Sequence, residues 1–213
     1  MNLERRAYTE DLWSFETDLL GYSDIAEIPH REGMAFLLAP GNFKLILWPR
    51  GSFKSTIVTQ GYSLWRLVRD PNLRVLIDSR TIDRSKFFLS EIKQQLERND
   101  RFKELFGDWK NIPGWSEHEI ILPHRTIPHR EPSIRCSGLN SPVTGGHYDL
   151  IIMDDLHDET NSQTEVQTDK ALMHFQTMFP ILEPNGQMIV IGTRWSNLDI
   201  YGHIIDSYKC KHY

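Results

Sequence analysis

The chain has 213 residues, enough for one large domain with a substantial core. Hydrophobic residues make up 39% of the chain and charged residues 25%, a balance typical of a folded globular protein. The formal net charge of −5 argues against a protein that coats nucleic acid by bulk electrostatics. Any contact with nucleic acid is therefore expected to be local, or to be supplied by another domain or subunit.

Neither a membrane segment nor a zinc site is predicted. The longest apolar runs, "LIIM" and "MIVIG", are as long as a strand and far shorter than a bilayer span. The N-terminus carries charges but no apolar leader, so we expect a cytosolic protein. The two cysteines, Cys136 and Cys210, form no CxxC pattern, and the histidines do not cluster at metal-ligand spacing. We therefore expect reduced thiols and no zinc.

The first 40 residues are predicted to be a helical lead-in to the core. Apolar residues recur on one helical face, and Pro29 then breaks the pattern before a second short helix through "HREGMAFLL". The apolar face consists of Leu12, Phe15, Leu19 and Leu20. These helices lead into the first core strand, predicted over 44–48.

The segment "WPRGSFKST", residues 48–56, follows that strand and is similar to a phosphate-binding loop. The usual pattern is G-x-x-x-x-G-K-[ST], in which glycines let the backbone curl around phosphates. Lys54 and Ser55 are in place. Trp48 and Phe53 stand where the glycines are expected, so only Gly51 supplies a free φ angle.

The setting of this loop favours phosphate binding. Helical spacing of apolar residues follows it, so the order is strand, tight loop and helix, and the positive end of the helix would face an anion. The helical positions are Ile57, Gly61, Leu64, Trp65 and Val68. The alternative interpretation is an ordinary surface turn with an exposed, solvated lysine.

Three further buried strands are predicted along the chain. They lie over 73–79, 148–155 and 186–193, and amphipathic helices follow the first two in "TIDRSKFFLSEIKQQLERN" and "QTEVQTDKALMHFQTMFPIL". Prolines between 106 and 147 separate short β-like runs, "HEIILP" and "SIRCSG", which we interpret as hairpins beside the main sheet. Apolar strands that alternate with helices predict a mostly parallel sheet with helices on both faces.

Two carboxylates follow the strand in "LIIMDDLHDE". Asp154 ends the strand, where the Mg²⁺-side aspartate of a nucleotidase belongs, and Asp155 comes next, where the water-activating carboxylate belongs. Alternatively, the two residues merely end a strand and start a turn. The pairing with Lys54 and Ser55 favours the nucleotide site.

The segments "PRGSFKST", "DLIIMDDLHDE" and "VIGTRWSNLDIYG" together resemble the three ATPase motifs of the large terminase subunit, the motor that packages DNA into tailed-bacteriophage capsids. The resemblance covers about residues 28–205. It implies a three-layer α/β P-loop NTPase of the additional-strand (ASCE) type, with a β-hairpin insertion. Family members continue into an RNase H-like nuclease. We find nothing corresponding to it, so we expect an isolated ATPase domain with a lead-in over 1–40 and a core over 41–213.

The resemblance implies roles for individual residues. Lys54 would bind the β- and γ-phosphates, Ser55 and Asp154 would hold Mg²⁺, and Thr56 would contact the α-phosphate side. Arg50 matches an arginine that senses the γ-phosphate, and Thr193 matches the motif that couples nucleotide state to DNA. The implied ATP-binding set is Pro49, Arg50, Gly51, Ser52, Phe53, Lys54, Ser55, Thr56 and Thr193.

Two departures from the family pattern affect these roles. Asp155 replaces the usual glutamate and is one methylene shorter, so Asp158 or Glu159 are further candidates for activating the water. Phe53 replaces a glycine, which implies strain of about 1–2 kcal/mol if its φ is positive.

Other roles are less closely tied to the motifs. Adenine recognition usually comes from upstream, so Pro29, His30 and Arg31 are candidates for a base pocket; alternatively they form a helix start with exposed charges. Subunits of such rings insert an arginine into the neighbouring site. The candidates are Arg125, Arg130 and Arg135.

Arg135 is our preferred candidate because a short strand gives its guanidinium a rigid base, although a surface arginine in a hairpin is an equal alternative for each of the three. In the glycine-rich run before the Mg²⁺ strand, Gly145 and Gly146 would let the loop move with nucleotide.

The implied activity is Mg²⁺-dependent ATP hydrolysis that moves double-stranded DNA into a procapsid in the host cytoplasm. The implied partners are the portal protein and the small terminase subunit, with a homo-oligomeric ring in the assembled motor and a monomer in isolation. Three alternatives remain: a helicase-type P-loop ATPase, a metal nuclease built on Asp154, Asp155, Asp158 and Glu159, and a nucleotide-binding assembly module that does not hydrolyse ATP.

Overall fold

The computed structural model describes residues 3–110, 112–141, 143, 145–157, 164–195, 199–208 and 211–212. Seven strands form one sheet in the order β3-β4-β2-β5-β6-β1-β7. All neighbouring pairs are parallel except β3 with β4. The strands are β1 Phe43–Leu47, β2 Val75–Ser79, β3 Glu119–Ile120, β4 Ile134–Gly138, β5 Tyr148–Asp154, β6 Leu182–Gly192 and β7 Lys211–His212.

Helices cover both faces of this sheet. The α-helices are α1 Leu3–Glu10, α2 Leu12–Ser14, α3 Glu27–Leu38, α4 Ser63–Arg69, α5 Ile82–Arg98, α6 Asp100–Phe106, α7 Glu165–Gln176 and α8 Ile200–Ser207. Two π-helical segments lie at Phe15–Leu19 and Ser55–Tyr62, and two short 3₁₀ turns at Ile112–Gly114 and Phe179–Ile181. Within the described ranges, no helix is long and apolar enough to span a membrane.

Side chains alternate between two hydrophobic clusters on opposite faces of the sheet. In β5, Ile152 packs into a cluster with the N-terminal helices, α4, α5 and α6, whereas Ile151 packs into a cluster with α7 and α8. This alternation follows from the period of two in a strand, and it explains why both faces of the central strands are apolar. The predicted three-layer α/β arrangement, a mostly parallel sheet with helices on both faces, is confirmed.

The antiparallel pair of β3 and β4 is present as predicted, but β4 has a second role. It also pairs in parallel with β2, from Val75↔Ile134 to Ser79↔Gly138, so it belongs to the main sheet and does not lie beside it. A Cβ on Gly138 would lie 2.5 Å from the backbone nitrogen of Ile82, so α5 packs directly on this strand. The prolines on either side of β4 indicated a separate hairpin, so its place in the main sheet was not predicted.

The N-terminal segment is helical, as expected, and its apolar face is buried. Leu12, Phe15, Leu19 and Leu20 lie in the same cluster as Ile57 of the helix after the phosphate loop. The lead-in and the core therefore share one hydrophobic cluster. The division of the chain at residue 40 stays a prediction.

One continuous helix runs from Ser55 to Arg69 after the phosphate loop, and its first eight residues are π-helical. The five positions that predicted a helix are all buried: Ile57, Gly61, Leu64, Trp65 and Val68. The wider π-helical turns were not predicted. In this helix Gly61 lies directly against Glu16. A Cβ at position 61 would be only 2.5 Å from the Glu16 carboxyl carbon.

Candidate active site

Loops that follow β1, β2, β5 and β6 surround a cavity of about 490 Å³ at the C-terminal edge of the sheet. Its walls include every residue from Arg50 to Thr56, together with Asp155 and Thr193. Ligands of open parallel sheets bind at this edge, because loops from adjacent strands converge there. The structure therefore brings together the predicted nucleotide-binding residues, while Pro49 is exposed beside the cavity wall.

The phosphate loop turns through two residues with positive φ. Gly51 has a φ of 81° and Phe53 a φ of 55°, so the backbone conformation considered for Phe53 is observed. A residue with a Cβ pays about 1–2 kcal/mol for this conformation. The Ser52 hydroxyl closes the turn by donating a hydrogen bond to the Pro49 carbonyl at 2.7 Å.

His30 supports the loop from behind. Its Nε2 lies 3.0 Å from the Ser52 carbonyl, and its Nδ1 lies 2.8 Å from the Ala26 amide nitrogen. A carbonyl can only accept, so Nε2 donates to Ser52, while Nδ1 is within hydrogen-bond distance of the Ala26 amide and, at 3.2 Å, of the Ala26 carbonyl. The ring also packs edge-on against Phe53, with ring centroids 6.2 Å apart. These contacts hold Phe53 in its strained conformation.

None of the three candidates for the adenine pocket lines the cavity. His30 is buried and contacts the loop backbone, whereas Pro29 and Arg31 are exposed on the outer side. An adenine pocket formed by Pro29 and Arg31 stays a prediction. The support that His30 gives to the loop was not predicted, because only the fold brings it to Ser52.

Trp48 anchors the start of the loop in the core, where the usual pattern has a glycine. Its ring is buried against Gly33, on which a Cβ would lie 2.5 Å from Cη2 of the indole. Its backbone nitrogen donates to the Gly192 carbonyl at 3.1 Å, and its carbonyl accepts from the Thr193 hydroxyl at 2.9 Å. The phosphate loop and the predicted coupling residue are thus directly linked.

Asp154 is fully buried beside Ser55, the two residues predicted to hold Mg²⁺. The Ser55 hydroxyl donates to Oδ1 at 3.0 Å, and the Thr59 hydroxyl donates to Oδ2 at 2.5 Å. Burial, reinforced by the charge of Asp155, raises the pKa of Asp154 to about 6. Thr59 was missed, although its position one helical turn after Ser55 was a usable signal.

The Ser55 hydroxyl and the Asp154 carboxylate fit a magnesium ion of the kind that accompanies a nucleotide. Both are hard oxygen donors, and Mg²⁺ in such sites takes one or two protein ligands and completes its shell with phosphate and water. Across the described residues, no three His, Cys, Asp or Glu side chains are grouped to hold a metal. This arrangement differs from an all-protein metal cage.

Asp155 lines the cavity next to Lys54. Lys54 Nζ is 3.3 Å from Asp155 Oδ2, and the Asp155 amide donates to the Ile191 carbonyl at 3.0 Å. The φ of Asp155 is 48°, a value rarely adopted by residues with a side chain. Its Oδ1 is buried and accepts no hydrogen bond from the described residues.

Lys54 is buried, which contradicts the alternative interpretation of a surface turn with an exposed, solvated lysine. The residue is 6% exposed, because the loop curls around its side chain and Asp155 covers its ammonium group. A cation buried to this degree is held by its carboxylate partner. The lysine is therefore positioned inside the cavity and does not extend into solvent.

The loop after β6 is tied to the start of α8. Asp199 is fully buried, and it accepts hydrogen bonds from Arg194 Nε and from the Trp195 amide, both at 3.0 Å. It also caps α8 by accepting from the Gly202 amide at 3.0 Å. The Trp195 side chain, which was not predicted, forms part of the cavity wall.

The candidate arginines for a neighbouring site lie outside the cavity. Arg135 in β4 is 43% exposed and lies 4.0 Å from Glu119 Oε2. Arg125 donates to the Glu131 carbonyl, and burial, followed by the nearby Arg74, lowers its pKa. Arg130 is exposed. The choice among the three stays a prediction.

Of the remaining predicted residues, the two glycines before β5 are described by the structure and the two further carboxylates are not. Gly145 and Gly146 both have positive φ, at 78° and 99°, which fits a glycine-rich turn. Asp158 and Glu159, the further candidates for activating water, lie outside the described residues. Their proposed roles stay predictions.

Arg80 and Arg84 line the cavity and were not predicted. Both follow β2, the strand next to β5, so their residues reach the same edge as Asp155. Arg84 Nη2 lies 4.0 Å from Asp155 Oδ2. The signal in the sequence was their place directly after a predicted core strand, which the motif comparison left unused.

The sheet order, the phosphate loop and the paired carboxylates define the chain as an α/β domain with the P-loop NTPase fold. Yeast Dbp5, in a complex that contains ADP, shares this fold with a TM-score of 0.56 at 8% identity, over 94% of this chain and 50% of that one. No family model matches the chain.

Beyond the fold class, the chain resembles phage large terminase subunits. It is 28% identical over 180 residues to the terminase large subunit of Enterobacteria phage T3, covering 82% of this chain and 30% of that protein. The Thermus phage P74-26 large terminase ATPase domain has a TM-score of 0.56 at 16% identity, over 91% of this chain and 74% of that one. The HK97 large terminase has a TM-score of 0.60 at 13% identity, over 96% and 43%. The resemblance inferred from the three motifs is confirmed.

Proposed function

We propose that the chain hydrolyses ATP with Mg²⁺ and that hydrolysis drives double-stranded DNA into a procapsid. The observation that carries this proposal is a cavity at the C-terminal edge of the sheet that is lined by Lys54, Ser55 and Asp155, with the buried Asp154 hydrogen-bonded to Ser55. Sequence similarity to a terminase large subunit supports the packaging role. Since the chain spans 30% of that relative, the activity of the whole motor is part of the proposal.

Each residue has a distinct part in the proposed reaction. The backbone of the phosphate loop and Lys54 bind the phosphates, and Ser55 and Asp154 hold Mg²⁺, which when bound neutralises phosphate charge. Asp155, which lines the cavity, orients the attacking water in this proposal. The water oxygen bonds to the γ-phosphorus, the bond to the leaving ADP oxygen breaks, and the proton of the water passes to a carboxylate and then to solvent.

The partners and location are also proposed. Double-stranded DNA, the portal protein and the small terminase subunit would meet the motor at the procapsid in the host cytoplasm. A ring would complete the sites in the assembled motor, with a monomer as the form in isolation. In this proposal Arg50, which is exposed and lines the cavity, senses the γ-phosphate. Thr193 reports nucleotide state through its hydrogen bond with the Trp48 carbonyl.

The fold is shared with Dbp5, in a complex that contains ADP, which agrees with nucleotide binding but does not by itself indicate a helicase. The 8% identity to Dbp5 is far below the 28% identity to the terminase, so the packaging role is the better supported one. Against a nuclease, Asp154 ends β5 and Asp155 directly follows it, whereas two-metal sites draw carboxylates from separate elements.

The test is phosphate release from ATP by the wild type and by Lys54→Ala, with and without Mg²⁺. Lys103→Ala, on α6 and outside the cavity wall, is the matched control. We expect Mg²⁺-dependent turnover by the wild type and the control, and none by Lys54→Ala. Turnover by folded Lys54→Ala at the wild-type rate would overturn the phosphate-loop interpretation.

Two further measurements separate the alternatives. ATP binding without turnover by the wild type, at any protein concentration, would favour an assembly module. ATP-dependent separation of a labelled duplex would favour a helicase-type enzyme. Turnover that is stimulated by intact double-stranded DNA, without strand separation, is the result expected of a packaging motor.

A further inference from the structure

Two cations converge on one oxygen of Asp155. Lys54 Nζ lies 3.3 Å from Oδ2, and Arg84 Nη2 lies 4.0 Å from the same atom. Lys54 comes from the loop after β1 and Arg84 from the first turn of α5 after β2, so they approach the carboxylate from different elements of the cavity wall. A phosphate placed beside Asp155 would lie within reach of both.

The position of Arg84 is determined by its helix. Thr81 caps α5 by accepting a hydrogen bond from the Arg84 amide at 3.4 Å, and the guanidinium lies over the ring of Phe88 at 5.4 Å from the centroid. Within the described part of the chain, Asp155 is the only carboxylate at ion-pair distance from Arg84. The side chain is 53% exposed, so it can move toward a ligand without unpacking the core.

Guanidinium and phosphate match well. The planar fork of donors binds two phosphate oxygens at once, and arginine stays charged at any working pH. A phosphate that carries more charge than one carboxylate would attract Arg84 more strongly than Asp155 does. The movement of Arg84 onto phosphate would also leave Asp155 with one cation fewer.

We propose that Arg84 is a catalytic residue that contacts the γ-phosphate of ATP in its own subunit and neutralises the charge that develops during hydrolysis. This inference depends on the proposed ATPase function. Arg84 remains protonated throughout: water forms the new bond to phosphorus, ADP leaves with the electrons of the broken bond, and the proton goes to Asp155 and then to solvent. Arg84 thus adds a charge within the subunit, apart from any arginine supplied by a neighbour.

The first test compares Arg84→Ala with Arg98→Ala, which removes the same charge from the exposed far end of α5. An arginine that acts in the transition state contributes about 10³-fold or more to kcat. We expect Arg84→Ala to lose turnover by about that factor while its affinity for ATP changes only a few-fold, and Arg98→Ala to match the wild type. Arg84→Lys, which keeps the charge but not the fork, should recover part of the rate.

A second readout separates catalysis from simple binding. ADP with aluminium fluoride imitates the transferring phosphoryl group, and a residue specific to the transition state binds it more strongly than it binds ADP. Arg84→Ala should weaken binding of this analogue by a factor similar to its loss of kcat, and leave ADP binding unchanged. Circular dichroism and thermal unfolding would verify that the variant is folded.

A third readout establishes which subunit Arg84 serves. Mixing Arg84→Ala with Lys54→Ala should restore no activity, because neither protein then contains a site with both cations. Recovery in the mixture would show action in a neighbour and overturn the proposal. It would also be overturned by turnover of Arg84→Ala equal to Arg98→Ala, or by a loss of ATP affinity with kcat unchanged. If neither the wild type nor Arg98→Ala hydrolyses ATP, both this inference and the proposed function fail. If the wild type is active and Arg84→Ala is equally active, this inference alone is refuted.

Discussion

Thr59 donates a 2.5 Å hydrogen bond to Asp154, and the two side chains meet with no exposure to solvent. Ser55 donates to the other oxygen of the same carboxylate from one turn earlier in the helix. The helix after the phosphate loop therefore fixes the Asp154 carboxylate in the orientation from which it and Ser55 would share an ion. Burial of this carboxylate has a cost in folding free energy, because an ionised carboxylate without its metal is unfavourable in the protein interior.

That cost predicts a pH-dependent gain of stability in Asp154→Asn, measured without divalent cations. Burial raises the pKa of Asp154 from 3.8 to about 6, so the folded state binds the proton more tightly than the unfolded state. The wild type therefore loses stability as pH rises through this range, by at most about 3 kcal/mol at pH 8. The neutral amide avoids this loss and can still hydrogen-bond with both hydroxyls.

Thermal unfolding in EDTA between pH 4 and pH 8 checks this expectation. The advantage of Asp154→Asn over the wild type should grow up to about pH 6 and then level off. Asp169→Asn, an exposed change on α7, is the control and should show no such trend. A variant that is no more stable than the wild type at pH 8 would show that the buried carboxylate is not destabilising.

Asp155→Asn is expected to slow hydrolysis more than it weakens ATP binding. The amide keeps the shape of the side chain but accepts no proton, and it no longer competes with phosphate for Lys54, 3.3 Å away. Single-turnover kinetics and direct binding of a fluorescent ATP analogue measure the two effects separately. If Asp155→Asn is fully active, another residue activates the water, and Glu159 is the next to substitute.

Gly61→Ala tests the contact between the lead-in and the helix after the phosphate loop. A Cβ at this position would lie 2.5 Å from the Glu16 carboxyl carbon, so the substitution should destabilise the protein by about 1–3 kcal/mol. Glu16 is fully buried, its pKa is well above the usual range because of burial, and its oxygens accept no hydrogen bond from the described residues. The Glu16 carboxyl group therefore gains little from its position.

Removal of the Glu16 side chain should reverse the effect of Gly61→Ala. In a Glu16→Ala background the added methyl group has room, and alanine is favoured over glycine in a helix by about 1 kcal/mol. Urea unfolding of the two single variants and the double variant gives the coupling energy. Purely additive changes would mean that the two positions do not interact in solution.

The sequence was sufficient for the elements whose pattern is local. Apolar runs located the four central strands, and the spacing after the loop located the helix from Ser55. The sequence also indicated that Ser55 and Asp154 lie close together, because one begins a helix and the other ends a strand, while their roles stay predictions. The burial of Lys54 was not predicted, since it depends on how the loop closes over Asp155.

Contacts between distant segments escaped prediction for a physical reason. His30 reaches Ser52 across 22 positions, and Arg84 reaches Asp155 across the boundary between β2 and β5. Neither pairing has a periodicity or a spacing that a single sequence reveals. The parallel pairing of β4 was hidden likewise, because prolines beside a short strand predict a separate hairpin equally well.

Arg135→Ala tests whether a neighbouring subunit supplies an arginine. A residue with that role lies outside its own site and remains accessible, and Arg135 is 43% exposed with Glu119 at 4.0 Å as a weak partner. Its loss should leave ATP binding normal but remove turnover in the assembled motor, where such arginines contribute about 10³–10⁵-fold. ATP binding and phosphate release are measured under the same assembly conditions.

Mixing makes the role of Arg135 distinguishable from that of Arg84. An Arg135→Ala subunit keeps its phosphate loop and a Lys54→Ala subunit keeps its Arg135, so boundaries that combine the two intact halves should hydrolyse ATP. Recovered activity in this mixture would show that Arg135 acts in the neighbouring subunit. If a mixture of Arg84→Ala with Lys54→Ala stays inactive under the same conditions, Arg84 acts in its own subunit. If the Arg135→Ala mixture stays inactive while an Arg130→Ala or Arg125→Ala mixture recovers, a different arginine crosses the boundary. Loss of ATP affinity in Arg135→Ala alone would instead place its action within its own subunit.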